Sequence, residues 1–266
     1  MRAVILAAGR GGRLRGIVGD RPKGLAVAGD CTLLERQIRT LRDCGVSHIT
    51  VVAGFRAAEV TRVCGPAVNV IENRDYATTN SLHSLWLARH ELWNGFVVLN
   101  CDVLFHPQLL LDLLTARYED ALLLSPSSAG DKYTDEEMKV RVRRGLVVAI
   151  DKGLSPRCAD GENVGIAKFG AAGAALLIGE MTRLVQAGGK RHWLPRAFAA
   201  FAAKRPLHAI ETRGYPWIEI DFPEDYWRAL SDVLPAIEGD ARRHTAGLIP
   251  PAPIAAAASG RTMRHV

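Results

Sequence analysis

The hydrophobic positions of this chain fall into two rhythms that alternate through its first half. Short continuous apolar runs, beginning with "RAVILA" at residues 2–7, read as strands buried on both faces. Between them lie segments with apolar residues at helical spacing. "TLLERQIRTLRDCG" places Leu33, Leu34, Ile38 and Leu41 on one face, with Thr32 to cap the helix and Gly45 to stop it. The alternation continues through the strands "HITVVAG", "AVNVIEN", "GFVVLNCD" and "DALLLSP" and the helices "AAEVTRVCG", "TNSLHSLWLARHEL" and "PQLLLDLLTAR". Such a β-α repeat predicts an α/β, Rossmann-like fold, a mostly parallel mixed sheet with helices on both faces.

After residue 130 the rhythm changes. "EMKVRVRRGLVVAID" alternates with period two on both sides of Arg144-Gly145, which predicts a small β-hairpin insertion. "NVGIAKFG" reads as a strand, "AAGAALLIGEMTRLVQAG" as an apolar helix, and "RHWLPRAFAAFAAK" as a helix that continues through its proline. "LHAIETRG" and "WIEID" are late strands, and "FPEDYWRALSDVLPAIE" is a closing helix with Pro223 in its first turn. This gives one domain over residues 1–238 and a Pro/Ala-rich tail over 239–266, expected to be disordered. There are no internal repeats.

Composition narrows the function class. With 48% hydrophobic and 23% charged residues the chain has an ordinary soluble composition, and the expectation is a cytoplasmic protein. The formal charge of +6 is scattered, with little aromatic interleaving, which argues against nucleic acid and leaves room for a polyanionic small molecule. Cys31, Cys44, Cys64, Cys101 and Cys158 are odd in number and form no C-x-x-C pair, so neither a disulfide framework nor a zinc site is expected. No run is long enough to be a membrane helix, and the N-terminal run is too short for a signal peptide.

The candidate chemistry begins at the end of the first strand, where "LAAGRGGRL" is followed by "RPKGL". Glycines after a strand let backbone N–H groups converge on phosphate oxygens, and arginine adds a bidentate charge. The dinucleotide fingerprint fails because Leu14 stands where its third glycine belongs. The P-loop fails because Ile17 and Leu25 stand where its lysine belongs. What remains strongly resembles the nucleotidyltransferases that activate sugar phosphates and small alcohol phosphates, over roughly residues 1–236. "NRDYATTNSLHSLWLARHEL", "EEMKVRV", "ENVGIAKF" and "IEIDFPEDYWRAL" resemble the branch that uses CTP to activate phosphocholine and related small phosphates. Around Pro22-Lys23 the text "GIVGDRPKGLAVAGD" departs from the wider group and weakens a specific sugar-nucleotide assignment.

The resemblance implies a transfer of CMP from CTP to a small phosphate or phosphonate acceptor, with release of pyrophosphate. It places Leu6, Ala7, Ala8 and Gly9 beside the nucleoside, Gly11, Gly12 and Arg13 at the β- and γ-phosphates, and Lys23 between the α-phosphate and the acceptor. Arg13 and Lys23 are thus the expected catalytic cations. Asp102 and Asp221, at strand ends, are the expected ligands of Mg²⁺, assisted by Glu219. Asn80 and Ser81 are candidates for cytosine recognition, with helix capping as the competing role. His83 lies on the same helix.

For the acceptor, Lys139 and Lys168 are candidate anion contacts within apolar strands, and Glu162 and Asn163 candidate borders of its pocket. A quaternary ammonium would call for aromatic faces with a carboxylate nearby. Tyr133, Trp193, Tyr215 and Trp217, with Asp135, Glu136 or Glu137, could supply them. An aminoalkyl phosphonate, an inositol phosphate or a sugar 1-phosphate stays open as acceptor. So do a sugar-1-phosphate nucleotidyltransferase using UTP, GTP or dTTP, an inactive nucleotide-binding subunit, and a homodimeric assembly.

Overall fold

The computed structural model describes residues 1–127 and 133–246. The strands are β1 (Arg2–Ala7), β2 (Val27–Ala28), β3 (Cys31–Thr32), β4 (Ile49–Ala53), β5 (Asn69–Glu72), β6 (Phe96–Asn100) and β7 (Val103–Phe105). They continue with β8 (Ala121–Pro126), β9 (Lys139–Arg143), β10 (Leu146–Asp151), β11 (Gly161–Phe169), β12 (His208–Glu211) and β13 (Trp217–Glu219). The helices are α1 (Arg15–Val18), α2 (Leu33–Asp43), α3 (Ala57–Cys64), α4 (Ser81–Leu87), α5 (Pro107–Thr115), α6 (Ala171–Gln186), α7 (Pro195–Ala202), α8 (Pro223–Arg228) and α9 (Leu234–Ala246).

A mixed sheet of nine strands carries the described residues in the order β5-β4-β1-β6-β11-β8-β12-β10-β9. Strands β5, β4, β1 and β6 run parallel, joined by helical crossovers. Strand β11 is antiparallel to both β6 and β8, which are its neighbours. Helices α2, α3 and α5 cover one face and α4, α6 and α7 the other, so the central strands are buried on both sides. That burial is why "RAVILA" and "FVVLN" are continuously apolar. The hairpin predicted around Arg144-Gly145 forms as β9 and β10, with Arg144 and Gly145 both at positive φ.

The local signals act as their chemistry demands. The Thr32 hydroxyl accepts from Glu35 N while the Glu35 carboxylate accepts from Thr32 N, a full capping box that starts α2. Pro195 differs from expectation. The chain breaks at residues 192–194 and Pro195 occupies the first turn of a new helix, where its missing N–H costs nothing. The closing helix also differs: α9 runs through Ala246, across the boundary expected at 238–239. Residues 247–266 of the expected tail lie outside the described residues. No helix among the described residues is long and apolar enough to cross a membrane.

The fold also brings two distant chain segments beside one another. Immediately after β6 the chain turns through Asp102 into β7, and β13 pairs antiparallel with β7 as a separate two-stranded ribbon. Ile220 N donates to Asp102 O at 3.0 Å, which holds Asp221 next to Asp102. From the other side, the buried Gln37 of α2 donates its side-chain amide to Asn100 O at 2.9 Å and Val103 O at 2.8 Å. Helix α2 therefore clamps the carbonyls on both flanks of Asp102. Gln37→Leu removes both side-chain donations and is expected to destabilise the fold by about 1–3 kcal/mol. Chemical denaturation measures it; an unchanged midpoint would show that the clamp carries no energy.

Candidate active site

The loop after β1 is shaped by the side chain it must pass. Gly11 sits at φ 62°, and a Cβ there would lie 2.6 Å from the Cβ of Lys23. Only glycine lets the loop lie against that lysine and keep the left-handed turn. Leu6, Ala8, Gly9 and Gly11 line one wall of a deep cleft at the carboxyl ends of β1 and β6, and Gly12 and Arg13 line its mouth. Ala7 is the exception among the expected nucleotide residues. It pairs with Ala53 and points into the core, as alternation along a strand requires.

Lys23 is buried at the centre of the cleft. Its Nζ donates to Asp102 Oδ2 at 2.7 Å and also to Asp221 Oδ1. Burial alone would lower this ammonium, but Asp102 and Asp221 outweigh it and hold the pKa above the usual lysine range. The two carboxylates thus favour the charged form of the lysine. Asp221 reaches the pair through the β13–β7 ribbon and not, as expected, from the end of a main-sheet strand. Glu219 lines the same cleft; burial, then the charges of Asp102 and Asp221, raise its pKa well above the carboxylate range.

Three acidic side chains thus face one lysine. Asp102 Oδ1 is buried with no hydrogen-bond partner. An orphaned carboxylate oxygen beside two further carboxyl groups is suited to a hard divalent cation. Two aspartates with open positions fit Mg²⁺, which keeps waters and substrate phosphate oxygens as its other ligands. Among the described residues, no group of three or more His, Cys, Asp or Glu side chains is placed to hold a metal ion by itself, so Asp102 and Asp221 are the two protein oxygens on offer here.

Arg13 forms a fork with Glu136, Nη1–Oε2 3.0 Å and Nη2–Oε1 2.8 Å, and stacks over the Phe222 ring at 4.7 Å. Lys152 also reaches Glu136, at 3.4 Å, and lies 5.1 Å over the Trp193 ring. Both members of the Arg13–Glu136 pair are well exposed, so the pair contributes little to stability and exchanges readily for another anion. Lys152, just beyond β10, is a cleft cation that the strand pattern of "LVVAID" hid; its position at a strand end was the available signal.

On the opposite wall the cleft is lined by Asn73, Tyr76, Thr79, Asn80, Ser81 and Ser84. Asn80 and Ser81 both have structural duties here. Asn80 Oδ1 accepts from Ser81 N as the cap of α4, and Ser81 Oγ accepts from Leu194 N, fixing the segment before α7. Asn73 and Tyr76 were not singled out from sequence. Asn73 is locked by donation to Thr79 Oγ1 and Ser84 Oγ, which orders the whole turn. His83 does not line the cleft; burial lowers its pKa and its ring stacks on Trp86.

Several expected acceptor residues lie elsewhere. Lys139, 1% exposed, donates its Nζ to Thr134 O at 2.6 Å and so braces the turn that carries Glu136. Lys168 donates to Leu114 O and Ala116 O, closing the C-terminal end of α5. Trp217 packs against the core beside β7. Glu162 pairs with Lys139 and Ser125 in the sheet and does not line the cleft, although its charge reaches Glu219. Tyr133 bonds Ser127, and Tyr215 stacks on His106. Of the expected aromatic and acidic set, Trp193 and Glu136 line the cleft, together with Asn163.

The chain has identifiable relatives. Residues 3–204 match the family described as MobA-like NTP transferase domain. The bifunctional IPC transferase and DIPP synthase of Rubrobacter xylanophilus is 35% identical over 229 residues, which cover 84% of this chain and 50% of that protein. This chain therefore spans half the length of that relative. The choline-phosphate cytidylyltransferase of Streptococcus pneumoniae is 30% identical over 155 residues, 56% of this chain and 68% of that protein. Among solved structures, the inositol-1-phosphate CTP transferase from T. maritima shares the fold with a TM-score of 0.73 at 22% identity, covering 89% of this chain and 94% of that one.

The reassignment of Lys168 is directly testable. Lys168→Met is expected to leave nucleotide binding unchanged while lowering stability by about 1–3 kcal/mol through two abandoned carbonyls. Calorimetric titration and thermal unfolding on the same preparations separate the two effects; weakened nucleotide binding at unchanged stability would restore Lys168 to the site.

Proposed function

The chain belongs to the MobA-like NTP transferase family, and from that premise we propose that it transfers CMP from CTP to a small phosphorylated alcohol or phosphonate. The observation that carries the reading is Lys23 held between Asp102 and Asp221 under the glycine loop, at the carboxyl ends of parallel strands. Open α/β sheets bind ligands at this edge. The choice of CTP is supported by the relatives, whose names include a choline-phosphate cytidylyltransferase and a CMP-5'-(3-aminopropyl)phosphonate synthase.

An oxygen of the acceptor's phosphate or phosphonate attacks the α-phosphorus of CTP. The bond from that phosphorus to the β-phosphate bridging oxygen breaks, and pyrophosphate leaves with its electron pair. Every partner in this step is anionic, so catalysis is chiefly positioning and neutralisation. The backbone of Ala8, Gly9 and Gly11 borders the nucleotide, and Arg13 exchanges Glu136 for triphosphate oxygens. Lys23 stays protonated and offers its ammonium to the α-phosphate and the attacking oxygen. Asp102 and Asp221, with Glu219 beside them, would hold Mg²⁺, which when bound neutralises charge on the reacting phosphates.

The test is pyrophosphate release with Mg²⁺, crossing CTP, UTP, GTP, ATP and dTTP against phosphocholine, 2-aminoethylphosphonate, inositol 1-phosphate and glucose 1-phosphate. Turnover with CTP is expected. Turnover with UTP, GTP or dTTP and the sugar phosphate would place the chain among the sugar-nucleotide enzymes, and CTP binding without turnover would mark an inactive subunit. Lys23→Ala is expected to lower kcat about 100-fold or more, the loss typical of one preorganised donor at a reacting centre. Asp102→Ala and Asp221→Ala are expected to abolish turnover in folded protein; near-normal activity in either would remove that residue from the site.

A further inference from the structure

Asp221 stands just past the end of its strand, where the ribbon no longer serves the backbone. Pairing of β13 with β7 ends at Glu219, and Ile220 N makes the last bond of this kind, to Asp102 O. The next two backbone donors turn to one atom. Asp221 N and Phe222 N both donate to Asp225 Oδ2, at 3.1 and 2.9 Å. Pro223 follows and has no N–H to give.

Asp225 does more than start α8. In a capping box the carboxylate three residues after the cap takes the cap residue's own N–H, here that of Phe222. Asp225 reaches one residue further back, to Asp221. The two N–H groups belong to the peptide bonds on either side of the Asp221 Cα. One carboxylate oxygen therefore fixes the direction in which the Asp221 side chain leaves the backbone. The helix that carries Asp225 is itself anchored: the Tyr226 hydroxyl donates to Val27 O at 2.8 Å, and Ala229 and Ile220 share a small core with Leu14 and Ala28.

We propose that Asp225 is a positioning residue for Asp221: by holding the N–H groups of both peptides that flank it, Asp225 aims the Asp221 carboxylate at Lys23 and at the place of the divalent cation. Asp225 does not line the cleft and acts through Asp221 alone. Such aim matters steeply, because a displacement of about 1 Å at a reacting centre costs on the order of 100-fold. No sheet neighbour could replace it, since Asp221 lies beyond the paired residues of the ribbon. The assignment rests on the reading of the cleft as a site for a triphosphate with its cation, but not on the choice of CTP.

The experiment titrates CTP and inorganic tripolyphosphate by calorimetry, each with and without Mg²⁺, and records thermal unfolding of every protein. The set is wild type, Asp225→Ala, Asp225→Asn, Asp221→Asn and the double variant of Asp221→Asn with Asp225→Ala. Asp225→Ser, too short to reach either N–H group, repeats the truncation should the alanine variant not fold. In wild type Mg²⁺ is expected to tighten binding at least 10-fold, and in Asp225→Ala less than 3-fold. Asp225→Asn, which keeps an acceptor oxygen, should stay within 3-fold of the wild-type enhancement. On the Asp221→Asn background Asp225→Ala should change the enhancement less than 2-fold, because residues that act as a unit are not additive. A truncation that lowers Tm but keeps the wild-type enhancement would reduce Asp225 to a helix cap and overturn the proposal. So would equal losses on both backgrounds, an asparagine variant as impaired as alanine, or a wild type in which Mg²⁺ tightens neither probe. The expected pattern with tripolyphosphate but not with CTP would remove the CTP assignment and leave this one standing.

Discussion

A single ammonium group holds the chemistry of this fold together. Lys23 shares its Nζ between Asp102 and Asp221, residues that stand 79 and 198 positions away in the chain. The surrounding architecture serves that contact. Gly11 keeps the loop against the lysine stem, Gln37 clamps the carbonyls flanking Asp102, and the β13–β7 ribbon carries Asp221 in from the C-terminal segment. Losing any of these supports would leave buried charges badly paired, which proteins tolerate poorly.

Charge balance explains why the site suits phosphate chemistry. Asp102 and Asp221 share one lysine, so the centre lacks positive charge, while Arg13 and Lys152 at the mouth are held by the exposed Glu136. On the proposed function, a polyphosphate with a divalent cation would correct both imbalances together, the cation meeting the carboxylates and the phosphates taking over the mouth cations. Neither imbalance would be sensible in a cleft built for a neutral ligand.

Sequence patterns carried the architecture further than the site. Continuous apolar runs identify strands buried on both faces, and Thr32 with Glu35 marks the start of α2, because these signals are local. "LAAGRGGRL" and Lys23 were readable because their chemistry is concentrated in one stretch. Lys139 and Lys168 were misread for a physical reason. An apolar neighbourhood shows that a lysine is buried, but not whether it neutralises an anion or caps carbonyls, and both cap carbonyls. Asn73 and Lys152 reach the cleft through tertiary neighbours and left no periodic trace.

The most direct test of the central claim follows phosphorus through the reaction by ³¹P NMR, with CTP, inositol 1-phosphate and Mg²⁺. The account predicts that the α-phosphorus of CTP and the acceptor phosphorus become a coupled diphosphate pair while an equal amount of pyrophosphate appears. Release of CMP, or of CDP and inorganic phosphate, with the acceptor signal unchanged would contradict it, because the cleft would then be serving hydrolysis and not transfer.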